Sequence, residues 1–300
     1  MQSTAEISPP ARASMMTKKL GEFQFLPSHF ERVAKLLHDA TGIKLPESKQ
    51  SLVYSRLSRR LRVLKIESFD KYCEFVASPA GQSEFSEMCQ SLTTNVTKFF
   101  REEHHFVHMR EKALRPIIEA ARSGQRIRMW SAACSSGEEA YSMALTLLAM
   151  MPDATSFDIK ILATDLSAEV VEKGKQGCYG ESDVETIPKN LLSRWFSKDT
   201  NAPQNKQYQI ADEIKKLISF RQLNLIDKWP MNGPFQIIFC RNVAIYFDEN
   251  TNAHLWQKLA QITAPGGFLY IGHSERIRQH ATLGLTVDGI TLYEKHGGVI

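Results

Sequence analysis

The chain has 300 residues, a formal net charge of +4, 43% hydrophobic and 23% charged residues. This is an ordinary globular composition, which argues against a disordered polyelectrolyte and gives no charge signal for a nucleic-acid binder. No apolar run approaches the roughly 18 residues of a membrane-crossing helix, and the N-terminus lacks an apolar signal core, so the expectation is a cytoplasmic protein without membrane insertion.

Residues 1–20 are poor in large apolar side chains and read as a disordered tail. Residues 21–93 read as a small all-α domain. Apolar residues recur at helical spacing over 29–40, 51–66, 69–77 and 83–92, and Gly42 closes the first helix. The second helix is the most basic segment: Arg56, Arg59, Arg60, Arg62 and Lys65 lie within ten residues that contain no acid. Arg56, Arg59 and Arg60 fall on one arc beside the stripe Val53, Leu57, Leu61 and Leu64. An acidic partner would explain such a cluster. Sparse aromatic residues on this helix favour a protein over RNA.

A linker at 94–104 leads into residues 105–300, where strands and helices alternate. Strands are expected at 126–134, 158–165, 235–240, 268–272 and near 291–294, with helices up to 150, at 168–174 and at 251–263. That alternation specifies a doubly wound, mainly parallel sheet. The interval between Asp165 and Ile237 is too long for simple crossovers. Segments 207–210 and 217–221 suggest a small antiparallel β insertion at about 185–220. Cys73, Cys89, Cys134, Cys178 and Cys240 show no paired spacing, and reduced thiols are expected.

The stretch Trp130-Ser-Ala-Ala-Cys-Ser-Ser-Gly-Glu-Glu139 is a strand, a tight loop of small residues and a helix start; the next strand ends on Asp165. This is nucleoside-binding logic. The missing G-x-G-x-x-G argues against a pyrophosphate and toward S-adenosylmethionine. Glu138 can face a ligand's ammonium or simply favour the helix dipole. Asp165 can accept ribose hydroxyls or cap a helix, a task Ser167 already serves. His104, His105 and His108 invite a metal reading. No carboxylate or cysteine completes them at zinc-like spacing, so no metal is expected. His273 reads as structural, and no Ser–His–Asp arrangement supports a hydrolase.

Together with Thr94-Asn-Val-Thr-Lys-Phe-Phe-Arg-Glu102, Ala163-Thr-Asp165, Phe239-Cys-Arg-Asn-Val-Ala-Ile-Tyr-Phe-Asp248 and Gly272-His-Ser-Glu275, the chain resembles the chemotaxis-receptor glutamate O-methyltransferases, the CheR family, from about Phe30 to Tyr293. It departs from the family at Ala140, where proline is usual, and at Val96 and Lys98. The resemblance implies a Rossmann-like class I methyltransferase domain that uses S-adenosylmethionine and releases S-adenosylhomocysteine. It places Asn95, Thr97, Arg101 and Glu138 near the methionine and sulfonium portion, Asp165 on the ribose, Asn224 and Leu225 at the adenine, and Arg241 and Asn242 at a strand end. Arg101 and Tyr246 would face the substrate. The implied substrate is a glutamate side chain in the cytoplasmic region of methyl-accepting chemotaxis receptors, with Arg56, Arg59 and Arg60 meeting that partner; a monomer is the default expectation. Such a carboxylate is already ionised at neutral pH, and transfer rests on alignment rather than on a strong base. The competing readings are a methyltransferase for RNA or another protein, and a non-catalytic S-adenosylmethionine-binding regulator. The absence of a [DN]-P-P-[YF] loop after residues 235–240 disfavours amine methylation.

Overall fold

The computed structural model describes residues 22–93, 96–198 and 207–297. The expected tail lies outside them. The chain divides into two compact units, residues 1–36 with 46–92, and residues 37–45 with 93–300.

Among its described residues, the first unit is entirely helical. Its elements are α1 (Pro27–Thr41, whose last turn counts with the second unit), α2 (Gln50–Leu64), α3 (Phe69–Val76) and α4 (Gln82–Leu92). Val33, Val53, Leu57, Leu61, Phe69, Tyr72 and Met88 form its core. Ser68 caps α3 by accepting from the Lys71 amide at 3.3 Å. Gly81 is required by close approach: a Cβ there would lie 1.9 Å from the Phe75 carbonyl oxygen.

In the second unit, α5 (His104–His108) runs through a π turn at Met109–Ala113 into α6 (Leu114–Arg122). Then follow β1 (Ile127–Ala132), α7 (Glu138–Met150), β2 (Ile159–Asp165) and α8 (Ala168–Gln176). A small antiparallel sheet contains β3 (Cys178–Gly180), β4 (Phe196–Lys198) and β5 (Gln207–Ile210) in the order β3-β5-β4, with α9 (Glu181–Val184) and α10 (Lys189–Trp195) between its strands. After α11 (Asp212–Lys215) come β6 (Ile218–Gln222), β7 (Phe235–Cys240), α12 (Glu249–Ile262), β8 (Thr263–Ile271), β9 (Leu285–Gly289) and β10 (Leu292–Lys295).

The main sheet has the order β6-β2-β1-β7-β8-β10-β9. The pairs from β6 to β8 are parallel, and β10 runs antiparallel to both neighbours. Strand order reverses direction at β1, the switch point where open α/β sheets form a ligand crevice at their carboxyl ends. Alternation along β1 sends Ile127 and Met129 into the core shared with α5–α7, and Trp130 and Ala132 into the core containing α12. α7 is buried on nearly every side, as a helix against the centre of a sheet must be.

Two expectations need correcting. Residues 217–221 do not belong to the antiparallel insertion: β6 pairs in parallel with β2 and forms one edge of the main sheet. The reason is packing. Phe220 lies 5.6 Å from the Tyr141 ring and fills the space left by Gly174, where a Cβ would meet the Phe220 ring at 2.5 Å. The insertion instead begins with β3, ahead of the expected 185. The edge strand β9 was not expected at all.

Candidate active site

The chain leaves β1 through a loop in which Ala133, Ser135 and Gly137 have φ of 64°, 50° and 100°. Non-glycine residues pay roughly 1–2 kcal/mol for this conformation, and specific bonds hold it. The Cys134 amide donates to Thr164 O at 2.8 Å, and the Ser135 amide to Asp165 Oδ2 at 2.9 Å. Gly137 is fixed by its φ and by packing, since a Cβ would lie 3.0 Å from Phe220. Asp165 Oδ1 accepts from the Ser167 amide at 3.0 Å, while Ser167 Oγ caps α8 by accepting from Val170.

Asp165 and Glu138 are only 8% and 6% exposed, and burial pushes both carboxyls above the usual carboxylate range. Glu138 accepts from Ser136 Oγ at 2.9 Å. Among the described residues neither carboxylate has an ion-pair partner. Glu139, next in sequence, differs: it accepts from Ser131 Oγ at 2.7 Å and from Arg241 Nη1 at 3.2 Å. The two adjacent glutamates thus divide their tasks. Glu139 neutralises an internal cation, and Glu138 keeps an unmatched negative charge at the crevice. A ligand with an ammonium and a sulfonium centre fits such a donor set.

Arg241, at the end of β7, is buried between carboxylates. Its Nη2 lies 3.2 Å from Glu102 Oε2 and donates to Arg101 O at 2.6 Å. Burial would raise the Glu102 carboxyl, but Arg241, His273 and Asn242 outweigh it and hold it at about 2. Asn242, with φ 57°, donates to Glu102 Oε1 at 3.3 Å. The turn after it is anchored by Glu275, whose buried carboxylate accepts the amides of Asn242, Val243, Ala244 and Gly272. Sequence reasoning singled out none of Glu102, Glu139 and Glu275. All three lay inside motif blocks as ordinary acids.

Strand neighbours gather Leu225 (after β6), Asp165 (β2), Glu138 (after β1) and Arg241 with Asn242 (β7) along one row of carboxyl ends. Three inter-strand spacings span about 14 Å, enough for an extended nucleoside joined to an amino acid. Asn224 is already engaged, its amide donating to Ala40 O at 2.8 Å and its Oδ1 accepting from Ile226. Arg101 is half-buried and donates to Val96 O at 2.9 Å. Thr97 is half-buried, and Tyr246 is half-buried on the turn Ala244–Tyr246. Asn95 lies outside the described residues.

In the first unit, Arg60 is committed to Glu84, which is 5% exposed, and to Glu87. Arg56 donates to Ser91 O at 2.9 Å. Both are half-buried beside the apolar stripe. Arg59 is exposed.

Two family profiles match consecutive stretches of this chain: "CheR methyltransferase, all-alpha domain" over residues 28–93 and "CheR methyltransferase, SAM binding domain" over 95–289. The chain belongs to the CheR methyltransferase family. It is similar to the probable chemotaxis protein methyltransferase of Rhizobium etli, 47% identical over 86% of this chain and 96% of that one. The chemotaxis protein methyltransferases of Salmonella typhimurium and Escherichia coli are each 36% identical, over 93% and 95% of this chain and 96% of theirs. This CheR methyltransferase therefore uses S-adenosylmethionine, and its parallel sheet is the cofactor-binding domain. No helix among the described residues is long and apolar enough to cross a membrane.

Proposed function

We propose that the protein methylates glutamate side chains in the cytoplasmic region of methyl-accepting chemotaxis receptors, yielding methyl esters and S-adenosylhomocysteine as part of chemotactic adaptation. The observation that carries this reading is the end of β7. Its turn is clamped by Glu275, Asn242 spends its amide on Glu102, and no proline-rich amine-binding loop follows. A site built this way suits an acceptor that arrives with its nucleophile ready, as an ionised carboxylate does.

S-adenosylmethionine supplies an electrophilic methyl group when bound. Glu138 would hold its ammonium, Asp165 its ribose hydroxyls and Leu225 the adenine face, with Asn224 fixing the loop beside it. Thr97 and Asn95 would complete the methionine end. Arg241 and Asn242 shape the strand end between them. Arg101 would hold one oxygen of the acceptor carboxylate through a directional hydrogen bond, and Tyr246 would orient the other. Arg101 can do so without quenching the nucleophile, because a single contact leaves the attacking oxygen its charge. Exposed Arg59 would meet the acidic receptor surface, with Arg56 and Arg60 setting the helix beneath it. The protein would act as a cytoplasmic monomer.

The test is transfer from radiolabelled S-adenosylmethionine to a receptor signalling fragment, followed by alkali and collection of volatile methanol. Base-labile label on the fragment supports carboxyl methylation. Base-stable label, or none despite calorimetric cofactor binding, refutes it.

A further inference from the structure

Glu102 has one oxygen on Asn242 and His273, and a second, Oε2, that turns toward α5. The left-handed backbone at Glu102, with φ 58°, is what brings this side chain back over the helix start. Sequence spacing could not show it. A carboxylate oxygen of Glu102 and ring nitrogens of His104 and His105 lie within 4.8 Å of one another.

His105 is fully buried, and its Nε2 lies 3.0 Å from Thr291 Oγ1. Thr291 gives its own hydroxyl proton to Ile290 O at 2.7 Å. Thr291 Oγ1 therefore accepts, His105 Nε2 donates, and Nδ1 carries a bare lone pair. That lone pair faces Glu102 Oε2 at 3.7 Å, and neither atom has a hydrogen-bond partner among the described residues. Two buried acceptors turned toward each other repel unless a positive centre is shared between them. Arg241 matches only part of this charge, because it is divided between Glu102 and Glu139.

We propose that Glu102, His104 and His105 form a binding site for a divalent transition metal ion of the kind that takes imidazole and carboxylate ligands. Metal–ligand lengths of about 2.1 Å would span the 3.7 Å separation at an angle of roughly 125°, near tetrahedral. His104 is exposed and gives both the third ligand and the entry path. Burial, with Arg241 next, holds His105 near 3, and Glu102 stands at about 2, so both are in their ligand forms at neutral pH. Occupancy would draw Glu102 away from Asn242 and Arg241 and so slow methyl transfer reversibly.

Zinc, titrated into the full chain against a chromophoric chelator, is the probe. One equivalent should bind. His104→Ala should weaken it by at least about tenfold without moving the melting temperature, and Cys178→Ser should leave it unchanged. Cobalt in place of zinc should show ligand-field bands without thiolate charge transfer. Equal zinc affinity in the wild type and His104→Ala, loss of binding in Cys178→Ser, or no binding at millimolar zinc would each overturn the proposal.

Discussion

Replacing Glu138 with glutamine separates its two possible roles. The substitution keeps shape and removes one charge from a position only 6% exposed that has no ion-pair partner among the described residues. If this carboxylate binds the cofactor's ammonium, a charge-assisted hydrogen bond worth about 1.5–3 kcal/mol disappears. That corresponds to roughly 12- to 150-fold weaker binding. Without cofactor the sign reverses. Burial raises the folded-state carboxyl above its unfolded value, so at neutral pH the charge costs the folded protein stability, and Glu138→Gln should melt at the same temperature or slightly higher. Calorimetry with S-adenosylmethionine and S-adenosylhomocysteine reads the first effect, and thermal melts read the second. An equal loss for both ligands locates the contact at the ammonium; a loss for the sulfonium ligand alone locates it at sulfur. Affinities within twofold of wild type, with stability down by about 0.3–1 kcal/mol, would make Glu138 a helix-dipole residue and refute the reasoning.

Four further outcomes follow from the structure. Glu102 sits at about 2, so its contribution, roughly 3 kcal/mol, should be present above the unfolded value near 4.3 and vanish as pH falls through 2; Glu102→Gln should lower neutral-pH stability and flatten that acid limb in urea titrations. Arg60→Ala should cost about 3 kcal/mol in denaturant melts by stranding buried Glu84. Arg59→Glu should leave those melts unchanged while raising KM for a receptor fragment, and an unchanged KM would remove Arg59 from the partner surface. Gly174→Ala should destabilise by about 1–3 kcal/mol, because its Cβ would meet the Phe220 ring at 2.5 Å; a neutral result would mean that β6 can shift outward.

The parallel sheet was readable because β1, β2 and β7 are rich in apolar residues and alternate with helical segments. Ser167 as the cap of α8 was readable for the same local reason. What escaped is set by long-range geometry. Arg241 after an apolar strand reads as a strand-end residue facing a ligand, yet partners 102 and 140 positions earlier bury it. Nothing in Glu138-Glu139 shows which carboxylate turns to Ser131 and which to Ser136. Ala133, Ser135 and Asn242 adopt glycine-like φ without being glycine, so turn chemistry gave no warning. Residues 217–221 look equally like an insertion strand or a main-sheet strand, and only the contact of Phe220 with Gly174 decides.

The last turn of α1 belongs with the unit that begins again at residue 93. Ala40 O receives the Asn224 amide, Lys44 N donates to Tyr246 O, and His38 pairs with Asp248 at 2.8 Å. During synthesis at about 5–20 residues per second, this short segment leaves the ribosome some 10–40 s before its partners exist. The methyltransferase unit is therefore not a continuous stretch of message, and a fragment begun at residue 93 would lack the support for the loops at Asn224 and Tyr246.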